Sequence, residues 1–380
     1  MLRARLAMLA AWAVLAAGAV PVSTGPSRAA DLPDFALETM IGQMIMVGFV
    51  GTGPDDPWPR QLIEQIGAGH VGGVLFLKRN VADRPSVEAL NAAFQDAGGA
   101  RPVLLAIDQE GGIVQRLTEE AGFRERPSAR DVARSQTVAE ATATYAGLAR
   151  DLRDWGFNLN LGPVVDVDVN PENPIIGALG RSFSNDPDVV AAYAAAFVRG
   201  HRGEGLLTAL KHYPGHGSSR EDSHKGFVDI TRTWSAAELT PYRLLIAAGL
   251  ADMVMPGHLY LEPLSEPGGR LPTSLSRPAL DLLRDDLGFA GVIISDDMEM
   301  RAIEADYSLE EAAVHAIRAG TNILIYSNYA HQRPDLPEEI IAILTRRAEQ
   351  DPELRRSIED SYRRITALKA GIDGPAPVRP

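Results

Sequence analysis

A closed (β/α)8 barrel of the α/β class is the fold this 380-residue sequence predicts, from a repeated strand pattern and from what stands at the end of each strand. Short apolar runs, rich in β-branched residues and bounded by glycine, recur at residues 44–49, 73–77, 103–107, 157–165, 208–210, 253–255, 291–294 and 322–325. Stretches with helical spacing lie between most of them, at 86–97, 138–155, 187–204, 279–287 and 309–319. Strands that alternate with helices pair in parallel, and strands that are apolar throughout are buried on both faces. Eight such units point to a closed barrel. An open sheet would be signalled by a glycine-rich dinucleotide turn after the first strand, and residues 49–53 contain glycine but lack that fingerprint.

The strand ends carry the second observation. Lys78 follows the second run, Asp108 the third, Asp166 and Asp168 the fourth, Lys211 and His212 the fifth, His258 the sixth, Asp296 and Asp297 the seventh, and Ser327 and Asn328 the eighth. In a barrel these positions share the C-terminal rim, so side chains far apart in sequence converge on one pocket. Polar residues mark strand ends in many folds, but so many ionisable ones point to chemistry.

Composition bounds the partners. A formal net charge of −13 with 45% hydrophobic residues argues against binding nucleic-acid phosphates and against disorder. There is no cysteine, hence no disulfide and no cysteine for lipid attachment. Residues 1–30 have the layout of a signal peptide: Arg3 and Arg5, an apolar run over 6–20, then Ser27, Ala29 and Ala30. Its cleavage would leave residues 31–370 as one catalytic domain and a Pro/Gly-rich flexible tail over 371–380, in a periplasmic or secreted protein without stable membrane insertion. The alternative is an uncleaved anchor, although the run is short for a span of about 20 residues. The charge and the absence of heptads make a monomer the default.

Two stretches concentrate reactive groups. Lys211-His-Tyr-Pro-Gly-His-Gly-Ser-Ser-Arg-Glu-Asp-Ser-His224 follows the fifth run, and its proline and glycines forbid a regular helix, so it reads as an active-site loop. Ser295-Asp-Asp297 ends the seventh run, where a carboxylate on a rigid strand is placed to attack or to stabilise positive charge. Adjacent side chains on extended backbone point in opposite directions, so Asp296 and Asp297 cannot both face the pocket, and the other would cap the next helix or bind a neighbouring loop.

Together with Ala106-Ile-Asp-Gln-Glu-Gly-Gly-Ile-Val-Gln-Arg116, Gly180-Arg-Ser-Phe183 and the opening near Leu37, these stretches resemble the β-N-acetylglucosaminidases of glycoside hydrolase family 3, the NagZ-type enzymes of peptidoglycan turnover. The resemblance runs in order from about Leu37 to about Ser327. It implies a single TIM-type barrel, without the second domain of larger members. It implies a retaining exo-β-N-acetylglucosaminidase (β-N-acetylhexosaminidase), acting on N-acetylglucosamine-containing glycans or muropeptides through a covalent glycosyl-enzyme and needing no metal or other cofactor. Asp296 would then be the nucleophile, and Asp222 with His224 the general acid/base, on a loop expected to close over bound sugar. Asp108, Arg116, Arg181, Lys211 and His212 would line the subsite for the terminal sugar. Histidine suits the acid/base role because its ordinary pKa near 6.5 serves proton transfer both ways near neutrality.

Other readings stand beside these. Arg116 and Arg181 could be internal ion-pair partners of Asp108, Asp166 or Asp168; His216 could hold the loop's turn; Trp58 and Trp155 could be packing residues. A metal site built from His212, His216, Asp222, His224 and His258 is opposed by Pro214 and Gly215, which break the helical spacing it would need. At the level of function the alternatives are a β-glucosidase, a phosphorolytic member of the same family, and a non-catalytic wall-binding barrel. Ser218-Ser219 stands where the family often has Asp-Thr, Glu299 stands where a small polar residue is common, and export departs from the cytoplasmic habit of the best-known relatives.

Overall fold

A computed structural model describes residues 36–372. The expected signal peptide at 1–30 lies outside the described residues, as does all but the first two residues of the expected tail at 371–380. The eight barrel strands are β1 (Ile45–Gly48), β2 (Gly73–Phe76), β3 (Leu104–Ile107), β4 (Leu159–Asn160), β5 (Leu207–Tyr213), β6 (Met253–Pro256), β7 (Val292–Asp297) and β8 (Ile323–Tyr326). Each pairs in parallel with its sequence neighbour, and β8 returns to β1 with Ile45 opposite Leu324, so the sheet closes.

Every residue of β1, β2, β3 and β8 is buried, as expected for strands covered on both faces. Between β1 to β4 and the helix Arg84–Gly98, the rings of Phe49, Phe76, Phe94 and Phe157 meet edge to face. The helices begin where their sequence says they should. Asp83 accepts from Ser86 N–H at the start of Arg84–Gly98, and Thr137 with Glu140 and Ser308 with Glu311 form capping boxes for Val138–Asp154 and Leu309–Ala319.

Four elements differ markedly from the expected bounds. Only residues 159–160 of the expected fourth strand are regular, because Pro163 has no N–H to donate; pairing resumes at Val164 opposite Lys211. β5 and β7 run further than their apolar cores, so Lys211, His212, Asp296 and Asp297 lie within strands rather than beyond them. The helix expected at 279–287 is Arg277–Asp281 followed by a wider π turn at Leu282–Asp286, where Arg284 reaches the carbonyls of Phe289 and Gly291.

Candidate active site

Beyond β3 the chain continues extended through Gln109–Gly111, so Asp108 and Glu110, two residues apart, face the same side. Lys211 on β5 reaches across and places Nζ 2.7 Å from Asp108 Oδ1 and 2.7 Å from Glu110 Oε1. Arg181 donates its fork to both oxygens of Glu110, at 2.9 and 2.8 Å, and Arg116 reaches Asp108 Oδ2 at 3.3 Å. Burial pushes both carboxyls up, but the cations outweigh it and hold Asp108 and Glu110 below the usual carboxylate range. Burial alone would lower Lys211; its two acids hold it above the usual lysine range. Two carboxylates and three cations therefore form one charged cluster, with Lys211 side chain only 3% exposed.

The ion-pair reading of the two arginines holds in altered form. Arg116 pairs with Asp108, but the partner of Arg181 is Glu110, while Asp168 takes Arg130 at 2.9 Å. Glu110 is the residue that sequence reasoning overlooked, although its spacing from Asp108 was the available signal.

His212 is oriented from below. Its Nδ1 lies 2.7 Å from Asp166 Oδ2, and among the described residues Nε2 has no hydrogen-bond partner. The other oxygen of Asp166 accepts the backbone N–H groups of His212 and His216, at 3.1 and 2.8 Å. Burial raises Asp166, but the neighbouring imidazole of His212 more than offsets this and keeps it low.

The loop after β5 is pinned at its base and open at its tip. His216, expected to hold the turn through backbone hydrogen bonds, instead meets serine hydroxyls with its ring, 2.7 Å from Ser219 Oγ and 3.2 Å from Ser223 Oγ, and burial drops its pKa to about 4, so it is neutral. Asn173 Nδ2 donates to His216 O. At Gly217 a Cβ would collide with Val167 O at 1.7 Å, so only glycine allows that approach. Further along, His224 Nδ1 is 2.8 Å from Asp222 Oδ1, Nε2 has no hydrogen-bond partner among the described residues, and the imidazole is 62% exposed. Beyond it, Val228–Asp229 pairs with Leu259–Tyr260, tying the returning chain to the end of β6.

The two aspartates ending β7 diverge. Asp297 turns to the neighbouring loop, where Oδ1 accepts from Ser327 N–H and Glu299 N–H, at 3.0 and 3.2 Å, and burial raises its pKa. Asp296 accepts from Asp297 N–H at 2.8 Å. Burial pushes Asp296 up, but the imidazoles of His258, His212 and His224 together hold it below the usual range, so it is ionised. Asp296 on β7 is thus within electrostatic reach of His212 on β5, of His258 beyond β6 and of His224 on the loop. His258 is held between Ser274 Oγ and Asp297 O, at 2.7 and 2.9 Å, which commits both ring nitrogens. Among the described residues no three histidine or acidic side chains converge as metal ligands. Trp155 is buried, and its ring packs on Phe123.

Residues 36–368 match the family model described as the glycosyl hydrolase family 3 N terminal domain. The chain belongs to glycosyl hydrolase family 3. It is 37% identical over 309 residues to a beta-hexosaminidase of Stenotrophomonas maltophilia, covering 78% of this chain and 86% of that protein. It is 36% identical over 265 residues to the beta-hexosaminidase LpqI of Mycobacterium tuberculosis, covering 68% of this chain and 66% of that one. The crystal structure of the beta-N-acetylhexosaminidase of Beutenbergia cavernae superposes with a TM-score of 0.79 at 34% identity, over 89% of this chain and 99% of that chain. The family 3 beta-N-acetylglucosaminidase of a Paenibacillus species superposes with a TM-score of 0.80 at 30% identity, over 91% of this chain and 65% of that longer one. The family 3 member described here is accordingly a glycoside hydrolase of the β-N-acetylhexosaminidase class.

Proposed function

We propose that the chain is a retaining exo-β-N-acetylglucosaminidase that removes terminal N-acetylglucosamine from peptidoglycan fragments or related β-glycosides. The observation that carries this reading is an ionised Asp296 within electrostatic reach of an exposed His224, whose Nε2 has no hydrogen-bond partner among the described residues. Asp296 attacks C1, the C1–O bond breaks, and the leaving oxygen takes the proton from Nε2 of His224 in its imidazolium form. Water then gives a proton to Nε2 and its oxygen to C1, and Asp296 departs as carboxylate. Asp222 stabilises the imidazolium through Nδ1–H, as the acid of a catalytic triad does, and keeps Nε2 directed outward. The hydrogen bond from His224 in turn draws the Asp222 carboxyl below its usual range against the effect of burial.

Asp108, Arg116, Arg181, Lys211 and His212 bind the terminal sugar in this reading. Lys211 and Arg116 can donate to hydroxyl or acetamido oxygens, and Asp108 can accept from hydroxyls. Arg181 acts chiefly by fixing Glu110. The similarity to the Stenotrophomonas beta-hexosaminidase and to the Paenibacillus beta-N-acetylglucosaminidase supports a terminal N-acetylhexosamine as the substrate. The basic, apolar start of the sequence supports export, and so an encounter with murein outside the cytoplasm.

The test is hydrolysis of an aryl N-acetyl-β-glucosaminide against the matching β-glucoside, with the first-formed anomer followed by NMR. We expect the N-acetyl substrate to be preferred by about 100-fold or more and the β-anomer to appear first. An α-anomer as first product would overturn the retaining mechanism, and equal use of the glucoside would overturn the substrate assignment.

A further inference from the structure

Beneath the loop that carries Asp222 and His224 lies a carboxyl group that the chemistry above does not use. Glu238 sits in the 3-10 turn Ala236–Leu239 that leads into helix Thr240–Ala247, and it is 0% exposed. Its Oε2 accepts from Ser218 N–H at 3.3 Å, and its Oε1 is buried without a partner. The contact with the loop is close. Gly215 has φ +125°, and a Cβ there would lie 2.7 Å from Glu238 Cβ and 2.9 Å from Oε2.

No cation compensates this group. Among the described residues no lysine, arginine or histidine pairs with Glu238. From the end of β4 it faces the carboxylate of Asp166, whose charge opposes its own ionisation; from the following helix it faces the phenol of Tyr242. From the loop the nearby imidazole is that of His216, which is neutral, and Arg181 is committed to Glu110. Ser218 is the donor that opposes the shift and it is neutral, and among the described residues the buried Tyr242 hydroxyl has no partner, so nothing charged in this pocket balances an ionised carboxyl.

We propose that Glu238, as the protonated acid, is a positioning residue that keeps the turn at residues 214–219 seated under the Asp222–His224 dyad, and that its ionisation unseats that turn. A buried carboxylate with no cation is costly, whereas the neutral acid costs far less. The direction of titration agrees. Burial first, then Asp166, push Glu238 up to about 7, with the Ser218 hydrogen bonds opposing. A carboxyl raised above its ordinary value binds its proton more tightly in the packed state. Its contribution is therefore complete at acid pH and is lost as pH rises through about 7. The consequence for turnover rests on His224 being the acid/base; the consequence for the loop does not.

Trp234 provides the readout. Its indole N–H donates to Pro214 O at 3.1 Å, and its ring packs on the cluster of Val228, Ile230, Leu259 and Leu261. Intrinsic fluorescence of the full chain is followed from about pH 5.5 to about pH 8.5, with Trp234→Phe identifying the signal of that residue. We expect a transition centred near neutrality in the wild type and none in Glu238→Gln, which keeps the shape of the neutral acid but cannot ionise. KM for the aryl N-acetyl-β-glucosaminide should rise about fivefold over that range in the wild type and less than about twofold in Glu238→Gln. The same transition and the same KM profile in both proteins would overturn the inference, as would a Glu238→Gln protein that does not fold, because the amide reproduces the uncharged form. A fluorescence transition that depends on Glu238 in a protein without hexosaminidase activity would leave the loop inference standing and remove the proposed function.

Discussion

The two halves of the cleft solve opposite problems. On the β3 and β5 side, Asp108, Glu110, Lys211 and Arg181 are buried in one network in which every charge has a partner within 2.9 Å. On the loop side, the His224 imidazole stands at the surface on a largely covered Asp222, with Nε2 lacking a hydrogen-bond partner among the described residues. In the proposed function the first arrangement would fix a sugar by geometry that exists before binding, and its paired burial contributes to the stability of the fold. The second, as the proposed acid/base, would move protons, which requires access to both leaving group and water, and the fold gains little from it. Function and stability should therefore separate cleanly between the two halves.

The largest effect should fall on neither half but on the carboxylate between them. Asp296→Ala should lower kcat by about 10⁴-fold or more, read with an activated aryl substrate. Lys211→Met should then show what the buried half contributes. Leaving Asp108 and Glu110 without their shared cation should cost about 3–5 kcal/mol of unfolding free energy, measured by denaturant titration, along with the loss of binding. If Lys211→Met unfolds at the wild-type midpoint, the contrast between the halves fails.

His224→Ala should do the reverse. It should lower kcat by about 10²–10⁴-fold on poor leaving groups and much less on activated ones, with the thermal midpoint unchanged. His258→Gln removes the first of the imidazoles that hold Asp296 low, so the acid limb of the kcat/KM profile should move to higher pH. The sign follows from Asp296 being depressed: its ionised form persists below the ordinary aspartate range, and weakening the positive surroundings lets it protonate sooner. The smallest effects should come from added chelator and from added phosphate, neither of which should change turnover; a glycosyl phosphate product would favour phosphorolysis instead.

Much of this was legible because the barrel places its chemistry by rule. Lys211, His212 and Asp296 stand where apolar strands end, and strand ends on one rim converge whatever their separation in sequence. The divergence of Asp296 and Asp297 followed from the alternation of side chains along extended backbone. The length of β5 and β7 was not legible, because polar residues carry the ladder beyond the apolar core there. Glu110 was hidden by being read as part of a motif rather than by its spacing. Glu238 could not be found at all, since it lies on a turn whose contact with Gly215 exists only in three dimensions.

The central claim is that Asp296 becomes bonded to the sugar while His224 handles the proton. Reacting the His224→Ala protein with an aryl N-acetyl-β-glucosaminide bearing a good leaving group should let the glycosyl-enzyme accumulate, because water then lacks its base. Rapid acid quenching and peptide mass mapping should find one N-acetylhexosaminyl group, on the peptide that contains Asp296. The same group on another residue, or no adduct despite a burst of released phenol, would contradict the account.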